Sequence, residues 1–216
     1  MSSQTIVVIL VVIFMGWFAI GMIYNLRRGD ALLKWMQNGL PDIGQKTTFR
    51  WLGTSVAELV ITHAKKPFRR LETLLFFKPR DVFWMTIAAY FQGREDTVIF
   101  RAHLSTAPVT DLELLDLKTW SGRDTQKRIR QRKWESTAYQ GLELMAPAGL
   151  LDLAVQTLDR LALPMQKFSS RYARFSLHRN APNLELHVPF PDHRNVDAKQ
   201  YFGALRELAR AVNEHN

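Results

Sequence analysis

Twenty consecutive residues without a charge, TIVVILVVIFMGWFAIGMIY from Thr5 to Tyr24, constrain this chain more than any other feature. As a helix rising 1.5 Å per residue, such a run is about as long as a bilayer's hydrocarbon is thick, so it predicts one N-terminal transmembrane helix. A secretory signal is the rival reading, and it would open on a basic region and close on a shorter apolar run before small residues. Here MSSQ carries only the terminal amine, and the run ends in MIYNLRR. The expectation is a retained anchor.

Trp17 and Tyr24 lie in the second half of the run, with Tyr24 at interfacial depth. Arg27, Arg28 and Lys34 follow at once. The positive-inside bias then puts everything after residue 25 in the cytoplasm and residues 1–4 outside. Trp17, Tyr24, Arg27 and Arg28 are the expected membrane-interface residues, and the protein is expected to be single-pass.

The remainder of the 216 residues is enough for one ordinary core. Against 20 acidic residues stand 29 Lys and Arg, a net +9 whose field favours phosphate-rich partners. No Cys is present, which excludes a disulfide framework, a thiolate metal site and a cysteine nucleophile.

After the span, residues 25–46 predict a juxtamembrane helix with Trp35 resting on the domain or the headgroups, ended by Gly39, Pro41 and Gly44. Residues 47–216 predict an α+β domain. TTFRWLG and SVAELVITH read as strands. KKPFRRLETLLFFKP reads as a helix with Phe68, Leu71, Leu74, Leu75 and Phe76 on one face. DVFWMTIAAYF and TVIFRAHL read as a hairpin joined through QGRED, and VTDLELLDLKT as a helix capped by Thr110 with Glu113 three residues on.

The second half repeats the order. TAYQGLELM reads as a strand, GLLDLAVQTLDRLALPM as a helix, KFSSRYARFSLH and LELHVPF as a hairpin through RNAPN, and VDAKQYFGALRELARAVNEHN as an amphipathic helix. Two strand-helix-hairpin-helix units are expected to join their antiparallel sheet and carry helices on one face, with Leu74 and Leu158 buried beneath.

No Gly-rich phosphate loop, G-x-S-x-G elbow, H-E-x-x-H or paired-carboxylate motif is present, so neither an enzyme nor a cofactor is expected. The nearest approach to a metal site is His178, His187 and His193 with Asp192, which a hairpin could gather; they lack close ligand spacing, so polar strand positions alternating with Leu186 and Val188 are the expected reading and no metal site is expected. The aromatics Phe76, Phe77, Phe83, Trp84, Tyr90, Phe91 and Phe100 read as core rather than as a stacking platform for single strands, with any surplus serving a protein or membrane partner.

The connection between the halves, residues 118–136, holds Lys127, Arg128, Arg130, Arg132 and Lys133, with carboxylates only at the edges, Asp124 and Glu135. Ile129 and Trp134 are too few to form a buried stripe, so a solvated segment is expected. Its charge suits anionic lipid or RNA phosphate. Lipid attraction fades within a Debye length of the leaflet, and Arg grips phosphate with a bidentate fork, so ribosomal RNA is favoured over lipid as the partner of the five residues, and a solvated loop that meets no partner stays open beside both.

The order of elements resembles the calumin-like family, the coiled-coil-containing endoplasmic reticulum membrane proteins of the PAT complex. The similarity rests on one span, Trp35, a strand around Trp51 and Gly53, a helix ending at Pro79, Phe168 followed by Tyr172, Ala173 and His178, and a strand ending in Val188 and Pro189 before a final helix. Where that family has an acidic lumenal region, MSSQ stands before the span, so a calcium-binding role is not implied; its charged coiled coil has no counterpart before Asn216. The resemblance implies a non-enzymatic chaperone-like factor for multipass membrane-protein biogenesis. The implied partners are the translocon, the ribosome and a small membrane subunit, besides lipid around the anchor, with no small-molecule substrate.

Overall fold

A computed structural model describes residues 2–214. They form helix α1 (Ser3–Gln37), the single turn α2 (Leu40–Ile43), strands β1 (Gly44–Trp51), β2 (Val56–Ala64) and β3 (Phe68–Phe76), and helix α3 (Phe83–Phe91). Strands β4 (Thr97–Leu104) and β5 (Leu112–Leu115) precede helix α4 (Trp120–Ile129) and the β6 (Trp134–Tyr139) and β7 (Leu142–Pro147) hairpin. Helix α5 (Leu151–Phe168), strands β8 (Arg174–Leu177) and β9 (Leu184–Pro189), and helix α6 (Ala198–Glu214) complete the chain.

The architecture is α+β. All nine strands make one antiparallel sheet in the order β1-β2-β3-β4-β9-β8-β5-β7-β6. One face is apolar: Leu59, Leu71, Phe100, Leu114, Phe175 and Leu186 pack with α5, α6 and the end of α1 in a single cluster. Strand side chains alternate between faces, so the next residues along face the other way. There Glu113, Arg174, Glu185 and His187 form a buried polar layer beneath α4.

Helix α1 is continuous for 35 residues, so the expected boundary between span and juxtamembrane helix is not a break. Its first part is long and apolar enough to cross a membrane. Its last part presents Gly21, Asn25, Gly29, Leu32 and Met36 to the sheet domain, spaced at three to four residues as a helix face requires. Trp35 rests on the domain, its Nε1 donating to the Val196 carbonyl at 2.7 Å and its ring tilted 5.3 Å from Tyr201.

Several expected elements differ. KKPFRRLETLLFFKP is a strand, not a helix: the register shifts between Phe68 and Arg70, and this irregularity lets Phe68 and Leu71, three apart, both reach the core. Leu74 is buried as expected, but on the face opposite Leu71 and Leu75, outside the apolar cluster. DVFWMTIAAYF is helix α3, not a hairpin strand, and β4 pairs with β3 and β9 instead. VTDLELLDLKT supplies the four-residue strand β5, buried on both faces and so without the polar alternation that marks a half-exposed strand. Thr110 is no helix cap, and Glu113 belongs to the polar layer. TAYQGLELM is itself a hairpin, turned at Gln140 and Gly141, whose φ angles of 48° and 80° suit a two-residue turn of the I′ kind.

The connection at 118–136 is likewise not wholly solvated. Thr119 caps α4, accepting from Gly122 N–H at 3.0 Å, and Ile129 is buried with Leu115 and Met145 while Trp134 packs against them. Helices α5 and α6 lie where the sequence puts them. The first half, with β3 as a strand and α3 as a helix, does not have the strand-helix-hairpin-helix order expected of it.

Candidate functional site

Most exposed large apolar side chains lie together. Of 28 such residues among those described, 15 lie on α1 between Ile6 and Tyr24 and six on α3. The two helices touch: the Trp17 and Phe83 rings are 5.2 Å apart and nearly perpendicular, and Phe14 lies 6.5 Å from both Phe83 and Trp84. Of the aromatics expected in the core, Phe77 and Phe100 are buried, but Phe76, Phe83, Trp84, Tyr90 and Phe91 are exposed. The sequence signal misread here was aromatic content, which marks a strand or an apolar surface equally.

Beneath this surface a polar joint ties α1 to the loop before and after α3. Arg80 grips Asp96 through both terminal nitrogens at 2.9 Å and donates to Asn25 Oδ1 at 3.0 Å. Asp96 also accepts from Lys78 N–H at 2.7 Å and pairs with Arg28 Nε at 3.0 Å. Fully buried Asn25 donates to the Lys78 carbonyl at 3.1 Å, and Asp81 accepts from Thr54 at 2.5 Å. Of the residues expected at a membrane interface, Trp17 lies on the apolar surface and Arg27 is exposed. Tyr24 and Arg28 belong to the joint, with Arg80 over the Tyr24 ring at 5.0 Å.

On the far side of β4 and β9, a cleft of about 600 Å³ opens between the loops bracketing α3 and the first turns of α4, lined by Lys78, Arg94, Trp120, Ser121, Tyr172 and His187. The Arg94 guanidinium lies 4.3 Å over the Trp120 ring, closing the root of α3 against the start of α4. At the cleft floor, Glu185 Oε1 is 2.7 Å from His187 Nε2, and His187 Nδ1 is 2.9 Å from Ser121 Oγ. A carboxylate only accepts, so Nε2 carries the proton and Nδ1 accepts from the serine hydroxyl. Burial pushes the imidazole pKa below its ordinary value, outweighing the Glu185 interactions that raise it, so the ring is neutral.

Hydroxyl, imidazole and carboxylate in series is the arrangement of an activated nucleophile. Here the ionised carboxylate is shared with cations. Arg174 holds Glu185 at 2.8 Å and Glu113 at 2.7 Å, Arg101 pairs with Glu185 at 3.4 Å, and His178 closes on Glu113 at 3.0 Å. Burial pushes the Glu185 pKa up, but its hydrogen bond to His187 and the charges of Arg174 and Arg101 bring it down to about 2. The two carboxylates, Arg174, Arg101 and His178 thus form one charge-paired network across the strands. Sequence spacing carried no sign of it, because Ser121 and His187 meet only when α4 folds onto the sheet.

His178 and His187 do not face one another, since Arg174 pairs with His187 and Leu177 with Leu184. No group of three or more metal-ligating side chains occurs among the described residues. Lys127, Arg128, Arg130, Arg132 and Lys133 are all exposed, gathered at the C-terminal end of α4 and the turn into β6. There the helix dipole favours cations. Only Arg128 has a local partner, Asp124 at 2.9 Å one turn earlier. The first turn of α4 meets the root of α3, and Arg128 lines the cleft between them, while Arg130, Arg132 and Lys133 follow at and beyond the helix end. No family model and no curated protein matches the chain.

Proposed function

We propose that this protein is a non-catalytic, single-pass membrane factor that assists insertion or assembly of other membrane proteins beside the translocon and ribosome. In this reading the apolar half of α1 crosses the bilayer with its N-terminus outside and the sheet domain cytoplasmic, as the Arg27 and Arg28 placement favours. The observation that carries it is the exposed cation array at the end of α4, fixed to a domain that is locked to α1 by the Asn25, Arg80 and Asp96 joint. Such an array on a rigid base suits the phosphates of ribosomal RNA, with Arg forming bidentate contacts.

The resemblance to the calumin-like family supports the same direction, although two of the elements behind it differ: the one ending before Pro79 is strand β3 rather than a helix, and helix α3 stands where the first strand of a hairpin was expected. The serine-imidazole-carboxylate chain fits a structural role because Arg174 and Arg101 take up the charge that would orient a base. A module binding anionic lipid through the same cations is the second reading. Three of the five cations are Arg, whose planar fork suits phosphate contacts, and this favours RNA.

Changing Lys127, Arg128, Arg130, Arg132 and Lys133 to Glu separates the two. Ribosome co-sedimentation of the detergent-solubilised protein is expected to fall by at least about tenfold in the variant, and in wild type to weaken steeply between 50 and 200 mM salt, since each phosphate contact releases counterions. Unchanged ribosome association would end the RNA reading, and loss of binding to anionic vesicles alone would favour lipid.

A further inference from the structure

We infer that α3 is a second membrane element, seated among the acyl chains of the leaflet nearest the sheet domain beside α1; this rests on the reading of α1 as a span. Helix α3, FWMTIAAYF, has no charged residue and buries only Ala89 against the protein. Phe83, Trp84, Met85, Ile87, Tyr90 and Phe91 are between 41% and 82% exposed. Six large apolar side chains on nine residues make a patch that a water-exposed surface does not sustain. At about 13 Å the helix is too short to cross a bilayer and long enough to lie within one leaflet.

The occupant is set by what α3 already touches. Its Phe83 and Trp84 meet Phe14 and Trp17, residues seven to ten positions before Tyr24 on the uncharged run. Wherever that run lies in hydrocarbon, the start of α3 lies beside it. The approach is built for closeness: a Cβ on Gly21 would stand 2.2 Å from the Arg80 carbonyl oxygen, so only glycine lets the chain reach α1 before turning into α3. In hydrocarbon every polar group needs an internal partner. Thr86 turns its hydroxyl back on the carbonyls of Pro79 at 2.8 Å and Val82 at 3.0 Å. The charges at its root, Arg28, Arg80 and Asp96, are paired with one another. Trp84 and Tyr90 add the amphipathic rings that favour the headgroup boundary.

The natural absence of Cys permits single spin labels at Val12→Cys on α1, at Tyr90→Cys and Phe91→Cys on α3, and at Lys133→Cys on the cation array. Each full-length variant would be placed in nanodiscs of phosphatidylcholine and phosphatidylglycerol after its melt has been matched to wild type. Labels on α3 are expected to collide several-fold more with dissolved oxygen than with a water-soluble nickel chelate, as at Val12, while Lys133 shows the reverse. Nickel-dominated collision at both α3 positions with Val12 still in lipid would overturn the inference and leave the span intact. Shielding of both α3 positions from both reagents would also overturn it, in favour of a protein partner. Nickel access at Val12 would instead refute the span, and the inference with it.

Discussion

Leu158→Asp is expected to leave the protein without a cooperative melt. Leu158 is fully buried on α5 in the cluster that also holds Phe100, Phe175 and Phe202. Truncating such a leucine costs about 2–5 kcal/mol, and setting an unpaired carboxylate in its place adds several more unless the group stays protonated. The sum is comparable with the roughly 5–15 kcal/mol that holds a domain together. Scanning fluorimetry in nanodiscs should show no transition for this variant. A Tm within about 2 °C of wild type would contradict the layered arrangement. Leu74→Asp is also expected to destabilise, since Leu74 is buried between Glu58 and Ile99 on the neighbouring strands, but by less than Leu158→Asp because it lies outside the main apolar cluster.

Arg174→Met should cost about 3–5 kcal/mol, lowering Tm by roughly 10 °C, because it leaves Glu113 and Glu185 buried without their shared cation. The penalty should shrink as the pH falls and these carboxyls take up protons. In wild type the layer also sets the acid response. His187 titrates below its ordinary 6.5 when folded, so the unfolded chain takes the proton first and stability declines as pH drops below about 6.5. Glu185 is held near 2 against 4.5 unfolded, so the stability it adds above 4.5 is lost between 4.5 and about 2. Glu113 is lowered too, with burial opposed by Arg174 and His178, and adds in the same direction. Melts of His187→Gln should be flatter than wild type between pH 7 and 5.5; identical slopes would remove His187 from this role.

Where one face of an element met the core and the other met water, the sequence was legible. Helix α6 repeats Phe202, Leu205, Leu208 and Val212 on one side, and β2 alternates Ala57, Leu59 and Ile61. Three departures had separate causes. The register shift at Phe68 imitated a helical spacing of three. Strand β5 is covered on both faces, so Leu112–Leu115 carries no period. Helix α3 is apolar on nearly every side, and neither a strand nor a buried helix describes a helix whose surroundings are not protein. The site divides the same way. The five cations were visible as a run in the sequence, but their fixing on α4 depends on Ile129 meeting Leu115 and Met145. The joint of Asn25, Arg80 and Asp96 joins residues up to 71 positions apart, and no local pattern announces it.

Crosslinking in native membranes during synthesis of a multipass membrane protein tests the proposed role most directly. Photoreactive residues would be placed at Arg130 and Arg132 on the cation array and at Tyr90 on α3. The expected result is adducts of the array with ribosomal RNA or ribosomal proteins, lost when the ribosomes are stripped by high salt, together with recovery of translocon subunits or the nascent chain among the captured proteins. Lipid adducts at Tyr90 with neither ribosomal, translocon nor nascent-chain adducts at any position would contradict a role in membrane-protein assembly.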